Sequence, residues 1–500
     1  MTKLCCRHFG NCRPFGTAQK FIRQRRKENQ QVDISVFGIG SVLPRAGQGG
    51  NQVSTPAIAL PINQRRPIFN GVLGLFTDVR PSERATALML TANMFIVLST
   101  YYILKTVREA LILTEGGASV KSYSSAAQAL LLLLVVPLYG MVASRFKRNT
   151  LIAGTTVFFI SNIVLFYLAG VAGLHIGIAF FLWVGIFNLM ITAQFWALAN
   201  DIYSSEQGKR LMPMIGIGSS LGAWAGATAA GELLSFFSAY ELMLIAAAGL
   251  SIAVVLSVKI NRRESGNVKQ TSEEPLRKEG GFKLVLKSRY LFLIAAMMLL
   301  LNVVNSTGEF ILGKMVVENA RQAVDAGTIT SADMKTTIGK FYATFYGWVN
   351  LLGLLFQLFI VSRLFKYIGI RGALFILPAI ALAGYSIMAV VPLLAIVRLG
   401  KILENGTDYS IQNTARHALF LPTSREAKYK AKTAIDTFFW RAGDMLQAGI
   451  VLLGTAFAFS IQNYAIINMA LTVVWLAVVV LIYREHRKLE TSPIGDAQAG

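Results

Sequence analysis

"ALFILPAIALAGYSIMAVVPLLAIV", residues 373–397, runs straight into "RLGKILENGTDYSIQNTARHALFLP", residues 398–422. The first stretch is apolar enough for lipid, while the second carries Arg398, Lys401, Glu404, Asp408 and Arg416. An ionised side chain at the centre of a lipid-facing helix costs about 2.5 to 3.5 kcal/mol even on insertion-based scales. Five in one span therefore need either water outside the chain or a polar path inside it. Composition decides between these: 54% of the 500 residues are hydrophobic, 15% are charged and the mean hydropathy is +0.53. A soluble domain carries about 25% charged residues, so this chain has too little polar surface to dress a globule. It is a membrane protein, and the charges of 398–416 face inward.

Stretches long enough to cross about 30 Å of hydrocarbon recur along the chain. Spans are predicted at 86–112, 123–143, 150–170, 175–199, 211–236, 240–258, 290–313, 341–361, 372–391, 393–415, 433–459 and 464–483. Polar residues interrupt the fifth, seventh, tenth and eleventh. The expected fold class is an all-α membrane protein of twelve transmembrane helices in two pseudo-symmetric six-helix halves. Its parts are a basic tail (1–66), a first half (67–258), a linker (259–289), a second half (290–485) and a C-terminal tail (486–500).

Charge placement supports the parity. Alternate loops hold clusters such as Arg145, Lys147 and Arg148, or Arg363, Lys366 and Arg371, whereas the turns at 171–174, 236–239 and 460–463 have no Lys or Arg. Basic residues stay on the cytoplasmic side during insertion, which puts both termini inside. The net charge of +22 is then mainly a topology signal. No basic-aromatic module points to nucleic acid. The tail is read as disordered and cytoplasmic, and its Cys5, Cys6 and Cys12 fit no common zinc spacing, so neither metal nor cofactor is expected. "PIFNGVLGLFTDV", residues 67–79, is a candidate surface-lying amphipathic helix.

An internal repeat is also legible. "ASRFKRNTL" (143–151) recurs as "VSRLFKYIGIRGAL" (361–374), and "SSEQGKR" (204–210) resembles "TSREAKY" (423–429), at nearly the same offset. Parallel repeats of this kind build transporters with a midplane site between the halves. The repeat places Arg145, Asp201, Arg363 and Lys428 at equivalent helix ends, where they are expected to meet as a cytoplasmic gate. Gly218, Gly222 and Gly226, four apart, suggest a close helix–helix seam.

Periodicity then gathers the buried charges. Lys401, Glu404, Asp408 and Gln412 step by three and four along one face. "YYILKTVREALIL" brings Lys105, Arg108 and Glu109; "LNVVNSTGEFILGK" brings Asn305 and Glu309; "IDTFFWRAGDMLQ" brings Trp440, Arg441 and Asp444; the fourth span offers the milder Gln194. Arg441 is the expected cross-helix partner of Asp408 and Glu404. Any one pair can simply neutralise itself within the bundle. Burying so many ions for stability alone is energetically poor, and a cation-rich cavity binds phosphate or carboxylate. An anionic small molecule is the expected substrate. No phosphate-cradling Gly-rich loop with Lys is present to drive transport by hydrolysis, and no enzymatic constellation stands out.

"LKTVREALIL" (104–113), "FWALANDIYSSEQGKRL" (195–211), "GIGSSLGA" (216–223) and the long run 404–444 resemble the bacterial branch of the nucleotide transporter (ATP/ADP translocase) family, similar in fold to the major facilitator superfamily. The resemblance covers about residues 67–485. It implies exchange of ATP for ADP, with Lys105 and Glu309 at positions of the family's intramembrane lysines and glutamates, and Lys401 as a third. The fourth span departs from the exchanger pattern, having Gln194 but no embedded carboxylate. The resulting expectation is a multi-pass secondary transporter in a bacterial inner membrane. It would act as a monomer on a small anion, ATP or ADP among the candidates. Proton-coupled transport of another molecule and a non-transporting membrane partner stand as alternatives.

Overall fold

The computed structural model describes residues 79–80, 82–143, 148–264, 281–424 and 426–491. The tail to residue 66, the stretch 67–78, Arg145, most of the linker (265–280) and residues 492–500 lie outside the described residues. Among those described, all regular structure is helical. Six helices precede the linker: α1 (Arg84–Glu115), α2 (Gly117–Ala143), α3 (Arg148–Val171), α4 (Gly177–Ile202), α5 (Ser205–Leu233) and α6 (Glu241–Glu264). After it come the short α7 (Gly281–Lys287), α8 (Arg289–Asp325), α9 (Met334–Leu355), α10 (Val361–Ala373), α11 (Ile376–Val390), α12 (Leu394–Thr407), α13 (Asn413–Ala418), α14 (Lys432–Ala434), α15 (Trp440–Ala456) and α16 (Ile461–Thr491).

π turns join several of these into longer rods. Phe356–Ile360 carries α9 into α10, Asp408–Gln412 carries α12 into α13, and Ala427–Ala431 and Ile435–Phe439 flank α14 ahead of α15. Eight described helical stretches are long and apolar enough to cross a bilayer. The seventh predicted span is among them despite its polar residues, and it runs on to Asp325 rather than ending near 313. The predicted loop at 362–371 is instead helix until Gly369, whose φ of 69° breaks it. α11, at 15 residues, is apolar but short.

Local chemistry explains the ends. α1 stops at Gly116, and Gly117 with φ +74° turns the chain directly into α2. α5 starts at a reciprocal capping box between Ser204 and Gln207, which satisfies two of the helix's orphan N–H groups. Ser288 caps α8 by accepting from Leu291 N at 3.4 Å.

Packing follows the small residues. α1 and α5 touch backbone to backbone: a Cβ on Gly222 would lie 2.3 Å from the Phe95 carbonyl oxygen, and one on Gly226 would lie 2.2 Å from that of Ser99. Only glycine permits that approach. The first six helices and the later ones meet along α5–α9, α1–α9 and α2–α15. Near the Glu115 end of α1 this contact is tight. Lys335 Nζ donates to Tyr240 Oη at 2.7 Å, and a Cβ on Gly339 would lie 2.8 Å from Leu234. Large apolar side chains such as Leu134, Leu165 and Leu453 are left exposed on the outside of the bundle, as a lipid-facing belt requires.

Candidate functional site

A cavity of about 190 Å³ lies between the two sets of helices. α1 supplies Lys105, Arg108 and Glu109; α2 supplies Lys121; α8 supplies Asn305, Ser306 and Glu309. Tyr346 of α9, Asn405 and Tyr409 of the α12 rod, and Arg441 and Asp444 of α15 complete the main wall. Four cations (Lys105, Arg108, Lys121, Arg441) thus face three carboxylates (Glu109, Glu309, Asp444), an excess of one positive charge.

Most of these ions are engaged. Glu109, fully buried, pairs with its neighbour Arg108 and with Lys121 at 2.7 Å. Lys121 also reaches Glu309 across the interface at 3.9 Å. Glu309 accepts from Asn405 Nδ2 at 2.8 Å. Asp444 accepts from Asn302 at 2.8 Å, Ser306 at 3.2 Å and Arg441 at 3.3 Å. Lys105 differs. Its ammonium stands 4.0 Å from the Tyr346 ring centroid and 5.1 Å from that of Tyr102, and among the described residues no carboxylate or hydrogen-bond acceptor holds it. Cation–π contact holds such a group in place while leaving its N–H donors free for a ligand.

The cavity has a neighbour that shares one of its lining residues. This second cavity, of about 540 Å³, lies between α1, α5, α9 and the α12–α13 rod toward the Glu83 end, and Tyr409 lines both. Drug-sized ligand sites span about 300 to 1,000 Å³, so the charged chamber alone is small for such a molecule.

Several residues that periodicity assigned to the cavity do not line it. Lys401 and Glu404 form a closed pair at 3.1 Å behind it. Lys401, with no exposed side chain, also donates to Asn305 Oδ1 at 2.6 Å, and Tyr385 Oη donates to Glu404 at 2.9 Å. Asp408 is not paired with Arg441, which turns back to Asp444 on its own helix. Trp440 lies under Arg416, and its carbonyl accepts from Asn302. Arg398 sits over the Phe341 ring at 5.1 Å. Gln194 borders a small separate pocket inside the first six helices, with Asn93 and Thr156. At the Glu83 end the expected gate includes Arg145, which lies outside the described residues. Asp201 lines a pocket whose described walls all come from residues 80–264, Arg363 donates to Phe359 O of its own rod, and Lys428 is exposed.

Sequence reasoning missed Lys121, Phe181, Tyr346 and Tyr409. Lys121 falls two residues before the predicted second span, and only the turn at Gly116–Gly117 places it inside the bundle. That turn was the available signal.

A multi-pass helical bundle with a charged chamber enclosed between two sets of helices defines a membrane transporter. Residues 85–411 match the Major Facilitator Superfamily, and the chain belongs to it. Its curated relatives are named as ADP,ATP carriers. "ADP,ATP carrier protein 5" of Rickettsia bellii is 22% identical over 85% of this chain and 96% of its own length. "ADP,ATP carrier protein 1" of Chlamydia pneumoniae is 21% identical over 58% of this chain, and the match spans 63% of that relative's length. Among solved structures, a POT family transporter in complex with a thioalcohol-conjugated peptide has a TM-score of 0.59 at 14% identity, covering 82% of this chain and 97% of that one. At that identity the likeness speaks for the fold alone.

Proposed function

We propose that the chain is a secondary transporter that moves an anionic, phosphorylated metabolite, with a nucleotide favoured, by alternating access and in exchange for a related anion. The observation that carries this reading is Lys105, an ammonium facing the chamber without a carboxylate partner. Arg108, Lys121 and Arg441 stand nearby, each already shared with a carboxylate that an incoming phosphate can displace. Tyr346, Tyr409 and Phe181 offer ring faces beside them. The names of the curated relatives support the nucleotide as the anion. The neighbouring cavity supports access from the Glu83 end, which the loop charges assign to the cytoplasm. The two six-helix halves, their twelve spans and an inner-membrane location belong to the same proposal.

The test is uptake of labelled ATP into proteoliposomes with and without internal ADP. Uptake that requires internal nucleotide supports exchange; no flux with any nucleotide sinks the substrate assignment. A second reading, proton-coupled uptake, is favoured by Asp408, a buried carboxylate without a described partner. Accumulation driven by a pH gradient with no internal anion would select it.

A further inference from the structure

The α12 rod buries more acceptor oxygens than it satisfies. Asn405, Asp408 and Gln412 are each at least nine-tenths buried, and Asn405 Oδ1, Asp408 Oδ1 and Gln412 Oε1 have no hydrogen-bond partner. Asp408 makes no described hydrogen bond or ion pair at all, although it is an ionisable group in the middle of a span. Buried polar groups are otherwise almost always satisfied, so each exception needs a cause.

The three are neighbours. Asn405 and Asp408 are separated by three positions, which brings Cβ atoms to about 5–6 Å on an α-helix surface, and Gln412 follows Asp408 by four across the π turn. The amide nitrogens are occupied elsewhere. Asn405 Nδ2 donates to Glu309, a carboxylate that can only accept, and Gln412 Nε2 points to Met297 Sδ at 3.9 Å. That leaves the two amide oxygens flanking the bare carboxylate. Of the two nearest cations on this rod, Lys401 is engaged by Glu404 and Asn305, while Arg416 lies over Trp440 with its Nε unpaired and makes no hydrogen bond or ion pair to Asp408. Asp408 also opens a π turn, a feature that recurs at functional sites in helices.

We infer that Asp408, with the side-chain oxygens of Asn405 and Gln412, binds a monovalent metal cation of the Na⁺ or K⁺ type. One carboxylate matches a single charge, and the described residues hold no acidic cluster of the kind a divalent ion needs. A proton would satisfy Asp408 and one amide oxygen, leaving the other without a partner. A metal ion accepts all three. Transporters commonly seat such ions near the midplane where a helix departs from regular geometry. The site is linked to the chamber, because Asn405 presents its oxygen here and its NH₂ to Glu309 there. The inference stands apart from the identity of the carried anion.

The experiment needs no substrate. Thermal unfolding of the full chain in detergent is followed at constant ionic strength while choline chloride is replaced by NaCl or KCl, at several pH values. The expected result is a saturable rise in Tm with Na⁺ or K⁺, the more effective ion being the occupant. Asp408→Asn should weaken the apparent affinity by more than about tenfold, as loss of a charged ligand requires. Gln412→Met, which keeps volume and charge, should weaken it less. No cation-dependent shift, a shift that follows pH alone, or an affinity unchanged in both variants would overturn the assignment.

Discussion

Lys105 and Lys401 stand within single long helical rods, both buried, both spaced four or three residues from a glutamate. Their surroundings differ completely. Lys401 is enclosed by Glu404 and by the backbone and side-chain oxygens of Asn305, with every donor directed at protein, and Glu404 is held in turn by the Tyr385 hydroxyl. Lys105 has its neighbouring glutamate taken by Arg108 and Lys121, and is left against two tyrosine rings at the chamber wall. One cluster is complete without a ligand and the other is not. A buried ion is therefore informative about function only through what its partners leave unsatisfied.

The sharpest way to break this contrast is to remove each ammonium. Lys401→Ala strands a buried Glu404, and stability should fall by about 3 to 5 kcal/mol, read as a large drop in Tm; an unchanged Tm would show that the cluster is not structural. Lys105→Ala should leave Tm nearly unchanged and cost anion binding about 1.5 to 3 kcal/mol, the worth of a charged hydrogen bond. Equilibrium binding of labelled nucleotide measures it, and wild-type affinity in this variant would remove the basis of the functional reading. The seal at the Glu115 end should matter less. Lys335→Ala deletes the donor to Tyr240 and should shift the conformational balance toward opening at that end by about 1 kcal/mol. Labelling of a Ser125→Cys reporter in the chamber from that side should then rise severalfold, and an unchanged rate would rule out a latch.

The smallest effect belongs to Glu83, just outside α1. Burial pushes its carboxyl up, but hydrogen bonds from Gln207 and Arg210 and the charge of Arg210 outweigh this, leaving it below the usual range. A carboxyl lowered by folding contributes stability above its unfolded value of about 4.3 and loses it as pH falls through the lowered folded value. Glu83→Gln should cost no more than about 1 kcal/mol near neutrality. It should also flatten the acid limb of the stability profile; a limb identical to wild type would show that this pair does not titrate with folding.

Much of the fold was legible because lipid imposes length and apolarity on each span, and both are visible residue by residue. α3 and α4 fall within three residues of their predicted limits for that reason. α8 overran its prediction because no breaker stands between Gly313 and Gly327, where a φ of 69° follows the helix end at Asp325. The site was less legible. Helical spacing groups residues on a face but does not say what the face meets, so Lys105 and Lys401 looked alike. The π turn from Asp408 changes the angular step, which defeats a register built on 3.6 residues per turn. Arg441 was assigned to Asp408 when a partner three residues away on its own helix was available.

Among the described residues, all four π turns lie beyond residue 355. The first six helices have none, and α1 and α5 are joined there by carbonyl-to-glycine contact. On the proposed transport cycle, the later helices are then the jointed jaw. On that proposal, a joint in Asp408–Gln412 or Ile435–Phe439 would change the angle of Tyr409 and Arg441 to the chamber.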